Sequence, residues 1–174
     1  MMKIKTAALI AIILTSLISC RRAEVSYNDG RLYYDKGNYT IAITLFTDSI
    51  TQKPQMPDPY LYRGNAYVYK KDYASAMADF NKTIELAPAN PAAYYSRGNL
   101  FSIQNNYDSA LNDYNTAIKL DPEYTQAYLY RGIAYKNLNQ IDNAIADWKT
   151  VLKIDPKNQY AQQYIDDAGK SPDM

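Results

Sequence analysis

Covalent chemistry has little to work with in this sequence. The 174-residue chain has no histidine and a single cysteine, Cys20, so neither a Ser/His/Asp relay nor a Cys/His pair can be assembled. No cluster has metal-ligand spacing. Gly30, Gly64, Gly98 and Gly132 stand 34 residues apart and are not gathered in a phosphate-cradling loop. The adjacent Asp166 and Asp167 suit a solvated helix face better than general acid–base work. An enzyme is not expected, and no cofactor or metal is expected with it. The charged residues suggest a structural device. Arg63, Arg97 and Arg131 each precede a glycine, and Asp79, Asp113 and Asp147 share one position further on. The corresponding first positions hold Asp29 and Leu45, so both members are missing together. That coincidence predicts three arginine–aspartate pairs, since the planar guanidinium suits a partly buried carboxylate.

Cys20 needs its own account. Lys3 and Lys5 precede an apolar run over residues 7–18 that is shorter than the roughly 20 residues a membrane-crossing helix requires. The run fits the core of a secretory signal peptide, residues 1–19. Leu17-Ile18-Ser19-Cys20 resembles the lipobox of bacterial lipoproteins, which implies acylation of Cys20 and a short lipidated tether over residues 20–22. Removing Lys3 and Lys5 from 19 basic residues leaves a mature chain nearly balanced against its 18 acidic ones. Nucleic-acid binding, which depends on clustered Lys and Arg, is therefore not expected.

The elements that position these residues follow from an internal repeat. The glycines share a 34-residue register with Ala42, Ala76, Ala110 and Ala144, and with Phe46, Phe80, Tyr114 and Trp148. Tyr33, Tyr67, Phe101 and Tyr135 keep the same phase, as do Ile50, Ile84, Ile118 and Leu152, and each copy closes on Pro54, Pro88, Pro122 or Pro156. Glycine inside a helix costs about 1 kcal/mol relative to alanine. Four such costs in register imply a packing gain, and the expected partner of each glycine is the small alanine on the facing helix. Helices are predicted over 24–36, 40–53, 58–70, 74–87, 92–104, 108–120, 125–138 and 142–154. A capping helix over 159–168 should bury Tyr160, Ala161, Tyr164, Ile165 and Ala168, before a tail over 169–174 that contains Pro172. Spacing and residue types resemble tetratricopeptide (TPR) repeats. The resemblance implies an all-α solenoid of four helix-turn-helix repeats, 23–56, 57–90, 91–124 and 125–158.

The resemblance also implies a concave surface lined by the first helix of each repeat. Mapped onto this chain it holds Tyr27, Arg31 and Tyr34, then Leu61, Asn65 and Tyr69, then Tyr95, Asn99 and Ser102, then Leu129, Ile133 and Lys136. Asn65 and Asn99 can form a ladder that grips a peptide backbone, or can simply face solvent. The carboxylate-clamp subclass is not expected, because Ala92 and Ser96 stand where its basic pair belongs. The expected partner is a protein or peptide, bound by a monomer or weak homo-oligomer anchored through Cys20. The chain resembles lipoproteins that act as adaptors in cell-envelope assembly on the periplasmic face of the outer membrane. A self-associating structural protein stacked through an open solenoid end is the alternative.

Overall fold

The computed structural model describes the backbone of residues 2–169 and the side chains of residues 19–169. The Lys3/Lys5 region, the apolar side chains over 7–18 and the Pro172 tail lie outside what is described. The described residues contain nine α-helices and no strand. They divide into two compact units that meet in sequence between Leu86 and Ala87. The first unit contains α1 (Met2–Asp35), α2 (Tyr39–Gln52), α3 (Pro57–Tyr69) and α4 (Tyr73–Leu86). The second contains α5 (Pro91–Ile103), α6 (Tyr107–Leu120), α7 (Thr125–Asn137), α8 (Ile141–Ile154) and α9 (Gln159–Gly169). Within each unit every helix packs on the next in sequence, and α1 touches α3 as α5 touches α7. The fold class is the expected all-α one, with helix pairs stacked in the manner of a solenoid. Helix ends fall within about a residue of expectation, the usual scatter of such boundaries, except that α1 runs unbroken through Cys20 instead of starting near residue 24.

The turn between the two helices of each copy is built the same way four times. Gly37, Lys71, Asn105 and Asn139 adopt φ of +74°, +61°, +59° and +59°. The next amide (Asn38, Asp72, Asn106, Gln140) bonds back to the carbonyl of Tyr33, Tyr67, Phe101 or Tyr135 at 2.8–2.9 Å. This pairing and its left-handed residue define a Schellman motif, which satisfies the orphan carbonyls at a helix end. The residue after it then caps the next helix. Asn38, Asp72 and Asn106 accept from the amides of Ile41, Ser75 and Ser109. The Ser75 hydroxyl and amide hold the Asp72 carboxyl below its ordinary value.

The cores are made by the repeated columns. Ala42, Ala76, Ala110 and Ala144 are fully buried, as are Phe46, Phe80, Tyr114 and Trp148. The facing of the glycines differs from expectation. A Cβ added to Gly98 would meet Tyr114 Cε1 at 2.8 Å, and one on Gly64 would meet Phe80 Cε1 at 2.7 Å. Each glycine thus makes room for the ring of its own copy, not for the alanine. Ala110 instead clusters with Tyr114 and with Ala134 of α7, tying one helix pair to the next. At the C-terminal end Ala161 is buried beside Trp148 and Val151, with Tyr164, Ile165 and Ala168 packed against them. Tyr160, expected on that face, is 65% exposed.

Candidate functional site

All three predicted ion pairs form, each two-pronged. Arg63 Nε and Nη2 donate to Asp79 Oδ2 and Oδ1 at 2.8 Å each. Arg97 binds Asp113 at 2.8 and 2.8 Å, and Arg131 binds Asp147 at 2.8 and 2.6 Å. Arg63 Nη1 also donates to Thr47 Oγ1 of the preceding copy at 3.0 Å, and Arg131 Nη1 to Asn115 Oδ1 at 2.6 Å. Tyr60 and Tyr67 flank Arg63, while Tyr128 and Tyr135 flank Arg131, with ring centroids 5.3–5.9 Å from each guanidinium carbon. Burial opposes the charge on Arg63 and Arg131, but the aspartate bonds and charge outweigh it and raise both pKa values. With their aspartates attached, the arginines are poor anion sites. They hold helices together.

In the first unit, α1 places Tyr27, Arg31 and Tyr34 one and two turns apart on one face. Helix α3 does the same with Tyr62, Asn65 and Tyr69. The rings form a continuous ladder. Tyr27 lies edge-on to Tyr62 at 5.8 Å, Tyr62 edge-on to Tyr34 at 5.8 Å, and Tyr34 edge-on to Tyr69 at 6.0 Å. Tyr39, at the start of α2, stacks flat on Tyr69 at 4.3 Å and meets Tyr34 edge-on at 5.5 Å. Such contacts follow the ring quadrupole and fix the rings in place. The exposed Arg31 guanidinium sits 5.1 Å from the centre of the Tyr62 ring. Burial first, then the charges of Asp58 and Tyr62, push the Tyr27 hydroxyl up to about 12 despite Arg31. Burial likewise raises Tyr34. Both therefore remain neutral O–H groups at physiological pH.

Five of the expected surface residues, Tyr27, Arg31, Tyr34, Asn65 and Tyr69, thus come together in one unit. Leu61 does not join them, being 7% exposed and part of the core. Sequence reasoning missed Tyr62 and Tyr39. The available signal was the matching seven-residue spacing of Tyr27/Tyr34 and Tyr62/Tyr69.

The second unit uses its polar groups differently. The fully buried Tyr114 ring carries its hydroxyl to Asn99 Oδ1 at 2.7 Å and to Ser102 Oγ at 3.1 Å. Tyr95 is surrounded by Tyr114, Tyr124 and Tyr130 at 6.2, 5.3 and 5.7 Å. Burial raises the Tyr95 hydroxyl, with Asn99 opposing it, and pushes Tyr124 up to about 12 with help from Asp121. Asn99 and Ser102 are therefore engaged in holding the Tyr114 hydroxyl. Asn65, with no hydrogen-bond partner among the described residues, keeps its amide free. Leu129 and Ile133 pack against the Trp148 cluster, and Lys136 is exposed.

No group of acidic, cysteine or histidine residues that could hold a metal occurs among the described residues. Nor is any helix there long and apolar enough to cross a membrane. A family model described as TPR repeat matches residues 64–102 and 98–139, and one described as tetratricopeptide repeat matches 125–158. No curated protein matches by sequence. Among solved structures, MamA residues 41–end from Desulfovibrio magneticus RS-1 is 22% identical, covering 85% of this chain and 84% of that one at TM-score 0.75. The Arabidopsis OM64 TPR domain is 27% identical over 66% of this chain and 94% of that one, at TM-score 0.64. The first TPR domain of human RPAP3 is 28% identical over 67% and 91%, also at TM-score 0.64.

Proposed function

The chain belongs to the tetratricopeptide-repeat family, whose models together match residues 64–158, and from that premise we propose that it is a membrane-anchored adaptor for another protein. Its partner lies as a peptide or helix along the tyrosine-lined surface, and the anchor is a lipid on Cys20. The carrying observation is the first-unit ladder of Tyr27, Tyr62, Tyr34 and Tyr69, with exposed Arg31 over the Tyr62 ring and Asn65 one turn along α3 from Tyr62 and Tyr69. Rigid aromatic rings beside free hydrogen-bonding groups are the composition of interface hot spots. In the second unit, Tyr95, Asn99 and Ser102 stand at the corresponding positions of α5. Work at the periplasmic face of the outer membrane, in envelope assembly, fits the lipobox-like Leu17–Cys20 segment and the absence of aspartate after Cys20, where Arg21 stands. The self-stacking alternative is disfavoured by α9, where Gln159, Gln162, Gln163, Asp166 and Asp167 are exposed.

Crosslinking in native membranes, followed by partner identification, tests the adaptor reading. Asn65→Ala should leave the fold intact, since surface changes usually stay within ~0.5 kcal/mol, and should weaken capture of that partner several-fold. Asn99→Ala should instead lower stability by about 1–2 kcal/mol, because the buried Tyr114 hydroxyl loses its shorter bond. Unchanged capture by a folded Asn65→Ala protein would move the site off this surface. The anchor has a separate test. Cys20→Ser should block acylation, leaving unprocessed precursor or soluble protein, and mass spectrometry would read the missing lipid. A Cys20→Ser protein of unchanged size that stays membrane-bound would overturn the anchor.

A further inference from the structure

Phenol rings in contact are suited to one-electron chemistry, and the first unit sets one pair apart from the rest. Tyr39 opens α2 and Tyr69 closes α3. Their rings lie 3° from parallel, with centroids 4.3 Å apart. The unit's other tyrosine pairs, Tyr27–Tyr62, Tyr34–Tyr39, Tyr34–Tyr62 and Tyr34–Tyr69, are edge-on at 69–87°, with centroids 5.5–6.0 Å apart. Tyr69 is also 60% exposed. We propose that Tyr39 and Tyr69 form a site of oxidative modification. There a one-electron oxidant, a haem peroxidase fed by hydrogen peroxide, joins the two rings as an intramolecular dityrosine that staples α2 to α3. This chemistry is independent of any partner held on the tyrosine-lined surface.

Each phenol gives up one electron and its hydroxyl proton, becoming a phenoxyl radical whose unpaired electron spreads to the carbons ortho to oxygen. The two radicals form one carbon–carbon bond between ortho carbons. The hydrogens on those carbons then move to the oxygens, which restores both aromatic rings. Two hydrogens leave the protein, and one peroxide becomes two waters. Geometry selects the pair. A parallel stack lays ring carbon against ring carbon, whereas an edge-on pair points the rim of one ring at the face of the other. Exposure of Tyr69 lets its proton pass to water and leaves its ring room to move from stacked contact to bonding distance. Charge favours the same pair. The Arg31 guanidinium sits 5.1 Å from the centre of the Tyr62 ring, where a cation opposes removal of an electron. No cation lies over Tyr39 or Tyr69 among the described residues. The second unit supplies contrasts, since Tyr95 meets Tyr124 and Tyr130 edge-on at 75° and 78°. Tyr160 is 65% exposed and has no ring against it among the described residues.

The test exposes the dilute full chain to a haem peroxidase and hydrogen peroxide and isolates the monomer. Dityrosine is then read by its fluorescence and by mass spectrometry of the digested protein. The monomer should lose two hydrogens in mass and yield two peptides linked through Tyr39 and Tyr69. Tyr39→Phe and Tyr69→Phe each keep a stacked ring and remove the hydroxyl. Both should therefore fold normally by circular dichroism and lose the crosslink. Tyr130→Phe and Tyr160→Phe should leave it unchanged. In concentrated urea, where the stack is gone, the link between Tyr39 and Tyr69 should fall to the level of other tyrosine pairs. The linked monomer should also melt several degrees higher, because closing the chain from Tyr39 to Tyr69 restricts the unfolded state. Absence of a link in the monomer, or a dominant link through Tyr124, Tyr130 or Tyr160, would overturn the proposal. An equal yield of the Tyr39–Tyr69 link in urea would overturn it too, since proximity in sequence and not the stack would then be the cause.

Discussion

Replacing Asp147 by alanine is expected to lower folding stability by about 3 kcal/mol, with a fall in Tm of roughly 6–12 °C. Asp147 is 5% exposed and receives both Nε and Nη2 of Arg131. Removing it strands a guanidinium between Tyr128 and Tyr135 with only the Asn115 amide oxygen for company. Breaking a buried pair from one side costs about 3–5 kcal/mol, because the remaining charge keeps its burial and loses its compensation. The lower end applies, since the Arg131 side chain is 18% exposed and water can reach part of it. Replacing both partners by Met and Leu should restore most of the loss, since isosteric apolar pairs often match a buried ion pair. Thermal unfolding of the two single variants and the double variant measures this directly. A single variant as stable as the parent would mean that the pair contributes specificity of packing and little energy.

How far the sequence revealed these arrangements depends on the question put to it. Helix boundaries were legible because prolines, glycines and apolar residues recur with one period, and four copies average out local ambiguity. The ion pairs were legible for a sharper reason, since Asp29 and Leu45 lose both members in the same copy. The facing of the glycines was not legible. In an antiparallel helix pair, contacting residues lie about equally far from the turn. Arg63 and Asp79 are each eight residues from Lys71 and pair as that rule requires. Gly64 is seven away, Ala76 five and Phe80 nine, so alanine and ring miss the rule by the same margin. Period alone cannot choose between them, and the ring takes the place because it has volume to bury. The surface was half legible for a related reason. Helical spacing put Tyr27, Arg31 and Tyr34 on one face, but could not show that Asn99 would be held by the hydroxyl of a ring fifteen residues away.

The glycine column yields the second large effect. Gly132→Ala is expected to destabilise the chain by about 2 kcal/mol. An alanine Cβ there would overlap the indole of Trp148, with Cδ1 at 2.8 Å, Cε2 at 2.9 Å and Nε1 closer still. The indole cannot swing away, being fully buried and bonded through Nε1 to the Leu129 carbonyl at 3.2 Å. Overpacking costs about 1–3 kcal/mol, and the better helix propensity of alanine offsets at most about 1 kcal/mol of it. The background decides whether the ring is the cause. In a Trp148→Leu protein, already weakened by loss of the indole, the smaller side chain vacates the space above residue 132. Gly132→Ala should then become neutral or stabilising, because only the propensity gain remains. That reversal of sign is a coupling only directly touching residues produce. Were the glycine instead matched to Ala144, the same reversal would appear with Ala144→Gly and be absent with Trp148→Leu. A helix that accepts glycine at a cost of about 1 kcal/mol per copy does so here to seat a ring, and the ring size can drift from Phe46 and Phe80 to Tyr114 to Trp148 only while residues 30, 64, 98 and 132 have no side chain to contest it.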